Sequence, residues 1–104
     1  MEDMYRVVYT SHASNDLSGI QRYIAEKFSD PASALNQAAR ITKAAKSLAV
    51  FPNLYRVRRK DSKGRDIRYC NVDNYVIIYS VDDVNHIVNI VRIVYNRRDI
   101  DSLI

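Results

Sequence analysis

The chain has 104 residues, a length that fits one domain and excludes a second large core. Apolar residues make up 47% of it and glycine and proline number two each, which excludes general disorder and low-complexity structure. Lysine and arginine outnumber aspartate and glutamate by 16 to 12, and eleven of the sixteen bases are arginines, whose guanidinium group matches phosphates and carboxylates.

The first half of the chain predicts one strand and two helices. Residues 5–9 are rich in β-formers and predict a short strand, after which apolar residues recur at helical spacing. The first apolar stripe comprises Ala13, Leu17, Ile20, Ile24 and Phe28, and the second Ala34, Ala38, Ile41, Ala45 and Leu48. Either Ser11 or Ser14 is a candidate N-cap for the first helix, and Asp16 suits the first turn.

A clear break separates the two helices. Asp30 is a favourable N-cap and Pro31 a favourable first helical residue, while Phe51-Pro52 ends the second helix. A connection of about three residues predicts an antiparallel helical hairpin.

The second half of the chain predicts a sheet. Residues 67–72, 74–81 and 86–95 are dense in Val, Ile and Tyr, with turn-forming residues at 71–74 and 82–85, which indicates antiparallel strands. Residues 52–66 are predicted to be irregular. The expected fold is therefore an α+β domain spanning residues 1–104, of order β-α-α-β-β-β, with the hairpin on one face of a small, largely antiparallel sheet.

The predicted strands are apolar on both faces, although a helical hairpin covers only one. Other parts of the chain must therefore cover some of the second face, or that face is a binding surface.

Positive charge concentrates between the helices and the sheet. Between residues 55 and 68, seven bases stand against two acids, a net charge of +5 that exceeds the +4 of the whole chain. This segment is either a basic rim for phosphates or an acidic partner, or a solvated loop.

A second cluster, Arg92, Tyr95, Arg97 and Arg98, ends the last strand. Arginines stabilise charge on a phosphate, and a tyrosine beside them could assist proton transfer. However, Arg92 and Tyr95 differ by three positions and face opposite ways on a regular strand, unless a bulge or the end of the strand intervenes. The alternative is that Tyr95 packs and Arg92 pairs with a carboxylate.

Metal and cofactor chemistry is not predicted. His12 and His86 lack ligand spacing, the glycines form no phosphate-binding loop, and Cys70 is expected to be a small core residue. The charged start and the lack of a membrane-length apolar run predict a cytoplasmic protein that does not enter a membrane.

Several segments, taken in their order along the chain, resemble toxins of the ParE/RelE superfamily. These toxins are one half of type II toxin–antitoxin pairs, which are associated with plasmid stabilisation and growth inhibition. The matching segments are Tyr5-Arg6-Val7, the stripe from Ala13 to Ile24, Leu48-x-x-Phe51-Pro52, Asn74 to Tyr79, and Val91 to Asp99.

The resemblance implies a hairpin-on-sheet fold and a cognate antitoxin partner that wraps around the toxin. It suggests Tyr75, Tyr79, Arg56 and Arg65 as antitoxin contacts, and binding of promoter DNA only through the antitoxin.

Targets differ within the superfamily. ParE-like members poison DNA gyrase, and here that function would use Arg97, Arg98, Arg58, Arg59 and Lys60 as target contacts. RelE-like members cut messenger RNA on the ribosome, for which Arg92, Tyr95 and Arg68 would form a reduced catalytic set. Val76 stands where RelE-like toxins place an arginine, so the ParE-like function is favoured. A third possibility is an inactive, antitoxin-binding co-repressor.

Overall fold

A computed structural model describes residues 4–96 and 100–103. Its elements in chain order are β1 (Arg6–Tyr9), α1 (Ser11–Lys27), α2 (Pro31–Ser47), β2 (Val57–Lys60), β3 (Asp66–Val72), β4 (Tyr75–Asp82), β5 (Ile87–Tyr95) and a short 3-10 helix (Ile100–Leu103). The predicted α+β class and the helical hairpin are confirmed. The sheet has one strand more than predicted.

The helix starts are set by side-chain caps. Asp30 caps α2 as predicted, its carboxylate accepting from the amide of Ala32 at 3.2 Å, and Pro31 is the first helical residue. The cap of α1 is Thr10 rather than Ser11 or Ser14, and its hydroxyl accepts from the Ala13 amide at 3.1 Å. Thr10 takes this place because α1 begins immediately after β1, one residue earlier than the sequence pattern indicated.

The strands form one sheet in the order β1-β5-β4-β3-β2. β1 runs parallel to β5, and all other pairs are antiparallel. The helical hairpin connects β1 at one edge of the sheet to β2 at the other. A two-residue turn joins β3 to β4, with Asp73 at a φ of 55°, a conformation that Asp and Asn tolerate better than most residues.

β2 lies in the segment that the sequence predicted to be irregular, so that prediction was wrong. β2 pairs with β3, and Asp61 closes the turn between them by accepting from the amides of Lys63 and Arg65. The strand was hidden because Val57 is followed by three consecutive bases, which removes the alternation of apolar and polar residues.

The main core lies between the helices and the sheet. α1 contributes Ala13 and Ile24, and α2 contributes Ile41 and Ala45; they pack with inward-facing residues of β3, β4 and β5, among them Cys70, Ile77, Tyr79, Val88, Ile90 and Ile93. Both predicted helical stripes therefore face the sheet, and Cys70 is a core residue as expected.

A second, smaller core covers the other face of the sheet. Ile67, Tyr69, Val76 and Ile78 are buried there together with Ile100 of the 3-10 helix. The chain thus covers part of this face itself, which is the first of the two alternatives left open by the sequence.

Candidate functional site

Among the residues that the structure describes, no strand lies beside the last part of β5 on its outer side. β1 ends at Tyr9, which pairs with Ile90. After Tyr9, the chain continues to hydrogen-bond to β5 through Thr10. The Thr10 amide donates to the Ile90 carbonyl at 3.0 Å, and the Thr10 hydroxyl donates to the Val91 carbonyl at 2.8 Å. α1 therefore caps the strand edge where β1 stops.

Asp16 holds the same edge one turn further along α1. Its carboxylate accepts from Arg92 Nε at 2.7 Å and Nη2 at 3.0 Å, and from the amide of Ile93 at 3.0 Å. Both charged side chains are largely shielded, with 24% of Arg92 and 16% of Asp16 exposed. The hydrogen bonds to Asp16 raise the pKa of Arg92. Arg92 thus pairs with a carboxylate, which was the structural alternative for this residue, and Asp16 does not act as a first-turn helix charge.

A bulge precedes Arg92 in β5. Ile78 of β4 pairs with Arg92 and Tyr79 with Ile90, so Val91 is an extra residue on its strand. This bulge lies before Arg92 and not between Arg92 and Tyr95, and the register between those two residues is regular. Tyr95 is the last residue of β5, and both side chains line the same groove.

This tyrosine groove, formed around Tyr23, Tyr75 and Tyr95, lies between α1 and the ends of β4 and β5. Its volume is about 620 Å³, and Gly19 lies along it. Tyr75 and Tyr95 meet edge to face with ring centres 5.8 Å apart. Tyr95 is 59% exposed, whereas Tyr75 is 8% exposed. Tyr95 is therefore the accessible aromatic side chain between these two.

Arg68 lies elsewhere. Its guanidinium donates to the Tyr55 carbonyl, and it sits on β3 opposite Tyr79 of β4. Tyr95 pairs with Tyr75, the first residue of β4. β4 lies between β3, which carries Arg68, and β5, which carries Arg92. The structure thus brings together two of the three candidate catalytic residues and keeps the third apart.

Tyr79 is a core residue. It is fully buried, its hydroxyl donates to the Pro52 carbonyl at 3.1 Å, and burial raises its pKa to about 12. It offers no surface to a partner, so the expectation that it contacts an antitoxin has no support in the folded chain. Tyr75 is nearly buried and reaches the surface only along the tyrosine groove.

The basic hairpin comprises β2, β3 and the turn between them, and some of its bases pair with acids of the same hairpin. Lys60 pairs with Asp66 at 2.6 Å and Arg65 with Asp61 at 2.8 Å, so both bases are partly neutralised within the hairpin. Arg56 is exposed in the segment that leads into β2.

Arg58 and Arg59 lie toward the second face of the sheet. A register shift between Val57 and Arg59 makes Arg58 the extra residue of a bulge, and Arg59 pairs with Ile67 of the second core. The Arg58 guanidinium carbon lies 4.7 Å from the ring centre of Tyr69. A bulge thus places two successive arginines beside one apolar surface. Arg97 and Arg98 lie outside the described residues.

Asp16, Thr10 and Tyr23 were missed as parts of this site by sequence reasoning. Asp16 precedes the partly buried stripe residue Leu17, and a carboxylate beside the inner helix face indicates a hidden cationic partner. That signal did not identify Arg92, which is 76 residues away.

Residues 4–96 and 100–103 were compared with the requirements of a metal site and of a membrane-spanning helix. No group of three or more metal-binding side chains comes together there. In the same part of the chain, no helix combines the length and the apolar character needed to cross a bilayer.

Comparison with known families matches residues 7–100 to the family described as "ParE toxin of type II toxin-antitoxin system, parDE". The chain belongs to the ParE toxin family. The match spans both helices and all five strands, so it includes the tyrosine groove and the basic hairpin. No curated protein matched the chain by sequence.

Solved structures with the same fold include toxins of both branches of the superfamily. A chain of the chromosomal ParDE system from P. aeruginosa superposes with a TM-score of 0.71 and 20% identity, covering 92% of this chain and 100% of that one. A chain of the RelBE2 toxin–antitoxin complex from Mycobacterium tuberculosis gives a TM-score of 0.64 and 20% identity, covering 89% and 99%. A chain of the RelE–RelB complex from Pyrococcus horikoshii OT3 gives 0.63 and 17%, covering 91% and 98%.

Proposed function

We propose that this ParE family member is a toxin that inhibits DNA gyrase in the cytoplasm and is neutralised by a cognate antitoxin. The observation that carries the choice of target is the engagement of the candidate nuclease residues. Asp16 binds the guanidinium of Arg92 through two hydrogen bonds, and Arg68 binds a backbone carbonyl on the far side of β4. Arg92 shares a groove with Tyr95 but its guanidinium is already bound by a carboxylate, and Arg68 lies away from Tyr95, so binding without hydrolysis is favoured.

The target contact assigned to this chain is the arginine-bearing end of β2. Arg58 and Arg59 lie on one face, beside Tyr69 and the second core. Guanidinium groups at such a site suit carboxylates or phosphates of a large anionic target. The sequence adds Arg97, Arg98 and Lys60 to this proposal, although Lys60 already pairs with Asp66.

A supercoiling assay with purified gyrase tests the target directly. The chain should inhibit supercoiling and lead to trapped DNA breaks, and Arg58→Glu combined with Arg59→Glu should raise the half-inhibitory concentration at least tenfold. Lys43→Glu, a reversal of one exposed charge on α2, provides a control for the introduction of acidic charge and should leave inhibition unchanged. Normal supercoiling in the presence of the folded wild-type chain would exclude gyrase as the target.

A ribosome-dependent endonuclease is the second candidate, favoured by the shared groove of Arg92 and Tyr95. It is tested by Tyr95→Phe, which removes only a hydroxyl from an exposed ring. We expect growth arrest to persist in this variant and primer extension to find no cuts in the ribosomal A site. Loss of toxicity in Tyr95→Phe, with cuts made by the wild type, would establish the nuclease instead.

The antitoxin is proposed to bind partly through charge. The basic segment from residue 55 to 68 carries a net charge of +5, which suits an acidic antitoxin segment. Arg56→Glu with Arg65→Glu should weaken the complex and reduce its dependence on salt, whereas unchanged affinity would remove these two contacts. Promoter DNA would be bound only through the antitoxin.

The alternative of an inactive co-repressor makes the opposite prediction for growth. Expression of the chain without an antitoxin should arrest growth if it is a toxin. Undisturbed growth, with normal accumulation of folded protein, would favour the co-repressor.

A further inference from the structure

We propose that Asp16 is a positioning residue, which holds the end of β5 and the Tyr95 side of the tyrosine groove in place through Arg92 and Ile93. Tyr23 and Tyr95, which are 54% and 59% exposed, make the tyrosine groove a second contact surface for the target, apart from Arg58 and Arg59 on β2. Inhibition of the target is therefore proposed to need this hold. Only these last two statements rest on the proposed function.

A single carboxylate carries the whole connection. Asp16 Oδ2 accepts from both Arg92 Nε and the Ile93 amide, and Oδ1 accepts from Arg92 Nη2. One side chain thus fixes the side chain of one strand residue and the backbone of the next. Because the two residues are adjacent, the strand cannot slide or twist locally without breaking at least one of these bonds.

The strand needs such a connection because of its place in the sheet. β1 pairs with β5 from Ile87 to Ile90, and within residues 4–96 and 100–103 no strand lies beside residues 91–95 on that side. An unpaired strand edge either hydrogen-bonds to water and frays or recruits another chain. Thr10 covers the first exposed carbonyl at Val91 and Asp16 the amide at Ile93, so α1 replaces the strand that stops short.

The groove depends on the same stretch of backbone. Tyr95 lies two residues beyond Ile93 and pairs with Tyr75 across the ladder. Arg92, Ile93, Val94 and Tyr95 all line the groove, and so does Asp16 itself. Release of Ile93 would therefore move one wall of the groove relative to α1.

The partial burial of the pair gives it more influence than a surface ion pair has. With only 24% and 16% of the two side chains exposed, removal of the carboxylate leaves a shielded guanidinium and an amide without their acceptor. The expected local consequence is opening of the strand end.

Asp16→Asn is the most direct test, because the amide has the size of the carboxylate but presents N–H donors to the donors of Arg92. Amide hydrogen exchange, measured by NMR on the whole chain, should accelerate at least tenfold at Ile93, whose amide loses its acceptor, and at Val94, whose amide faces β4. It should stay unchanged at Ile41 and Ile77, which lie in the main core. Glu26→Gln makes the same charge change at an exposed position of α1 and should alter none of these rates.

A second variant separates the geometry of the pair from its charge. Arg92→Lys keeps the cation but cannot bridge both carboxylate oxygens, so it should accelerate exchange at Val94 with Asp16 intact. The double variant, Asp16→Asn with Arg92→Lys, should exchange no faster than Asp16→Asn, because both changes break one connection.

Gyrase inhibition then tests the functional half. Asp16→Asn should raise the half-inhibitory concentration at least tenfold. Ile41→Val, a core substitution on α2, should lower the melting temperature without this change, which separates positioning from general stability.

Exchange in Asp16→Asn that is unchanged, or that rises equally throughout the core, would overturn the positioning role. A local increase in exchange with normal inhibition would overturn its functional half. If the wild-type chain does not inhibit gyrase, the proposed target fails, and the exchange data still decide the role of Asp16.

Discussion

At the scale of single residues, the polar groups of this chain are placed where a neighbouring backbone needs a partner. The hydroxyl of Tyr79 satisfies the carbonyl of Pro52, the guanidinium of Arg68 that of Tyr55, and the carboxylate of Asp16 the amide of Ile93. Buried carbonyls and amides without such partners are expensive, so these side chains are committed to the fold before any ligand binds.

Tyr79→Phe should therefore lower stability without affecting the surface. The change leaves the Pro52 carbonyl without its donor in the core, and we expect a loss of about 1 kcal/mol, or a melting temperature lower by roughly 4–8 °C. Thermal unfolding followed by circular dichroism measures this effect. Tyr95→Phe is the matched control, because that ring is 59% exposed and its melting temperature should not change. An equal loss in both variants would contradict the assignment of Tyr79 to the core.

At the scale of elements, the sequence predicted the helices more completely than the sheet. The Asp30-Pro31 start of α2 was predicted from local chemistry, because a cap and a first-turn proline act within a few residues. β2 was missed because an edge strand with basic side chains resembles a loop, and only its ladder with β3 defines it. The parallel pairing of β1 with β5 was likewise hidden, since it joins residues about 80 apart.

The two glycines offer a test of these elements in opposite directions. Gly19 lies within α1, and a methyl group added there would contact nothing within 4 Å. Gly19→Ala should therefore stabilise the helix by about 0.5–1 kcal/mol and raise the melting temperature by a few degrees. Gly64 has a φ of 79° in the β2–β3 turn, a conformation unfavourable for alanine.

Gly64→Ala should accordingly lower the free energy of unfolding by about 1 kcal/mol and with it the melting temperature. Calorimetry on both variants measures the pair of effects. A melting temperature that falls in Gly19→Ala would contradict the open space around this position of α1.

At the scale of the whole molecule, the helical layer is tied to the far end of the sheet by charge. Asp73, in the turn between β3 and β4, accepts from Gln37 at 2.7 Å and from Arg40 at 2.9 Å, both on α2. The hydrogen bond from Arg40 lowers the pKa of Asp73. Because the pair is exposed, with 37% of Asp73 accessible, its contribution to stability is below about 1 kcal/mol.

The pKa shift fixes the pH at which this contribution disappears. A carboxyl with a lowered folded-state pKa stabilises the fold above its unfolded value, about 4, and the effect is lost as the pH falls through the folded value. Asp73→Asn, which tolerates the φ of 55°, should melt a few degrees lower than wild type at pH 7. The difference should close as the pH falls from about 4 through the lowered folded-state pKa of Asp73. Thermal melts at pH 7 and at a series of acidic pH values measure it, with Glu26→Gln as a control that should show no difference at any of them. A gap that persists in acid would show that Asp73 acts through its shape rather than its charge.

The sequence alone determined the class of fold, the helical hairpin, four of the five strands, the burial of Cys70 and the basic character of the segment before β3. These follow from periodicity and local chemistry, which act over a few residues. Only the tertiary structure decided which charges are available. It paired Arg92 with Asp16 across 76 positions, placed Arg68 on the other side of β4 and buried Tyr79. Ion pairs and sheet ladders join residues that are distant in the chain, so no local pattern encodes which arginine meets which carboxylate.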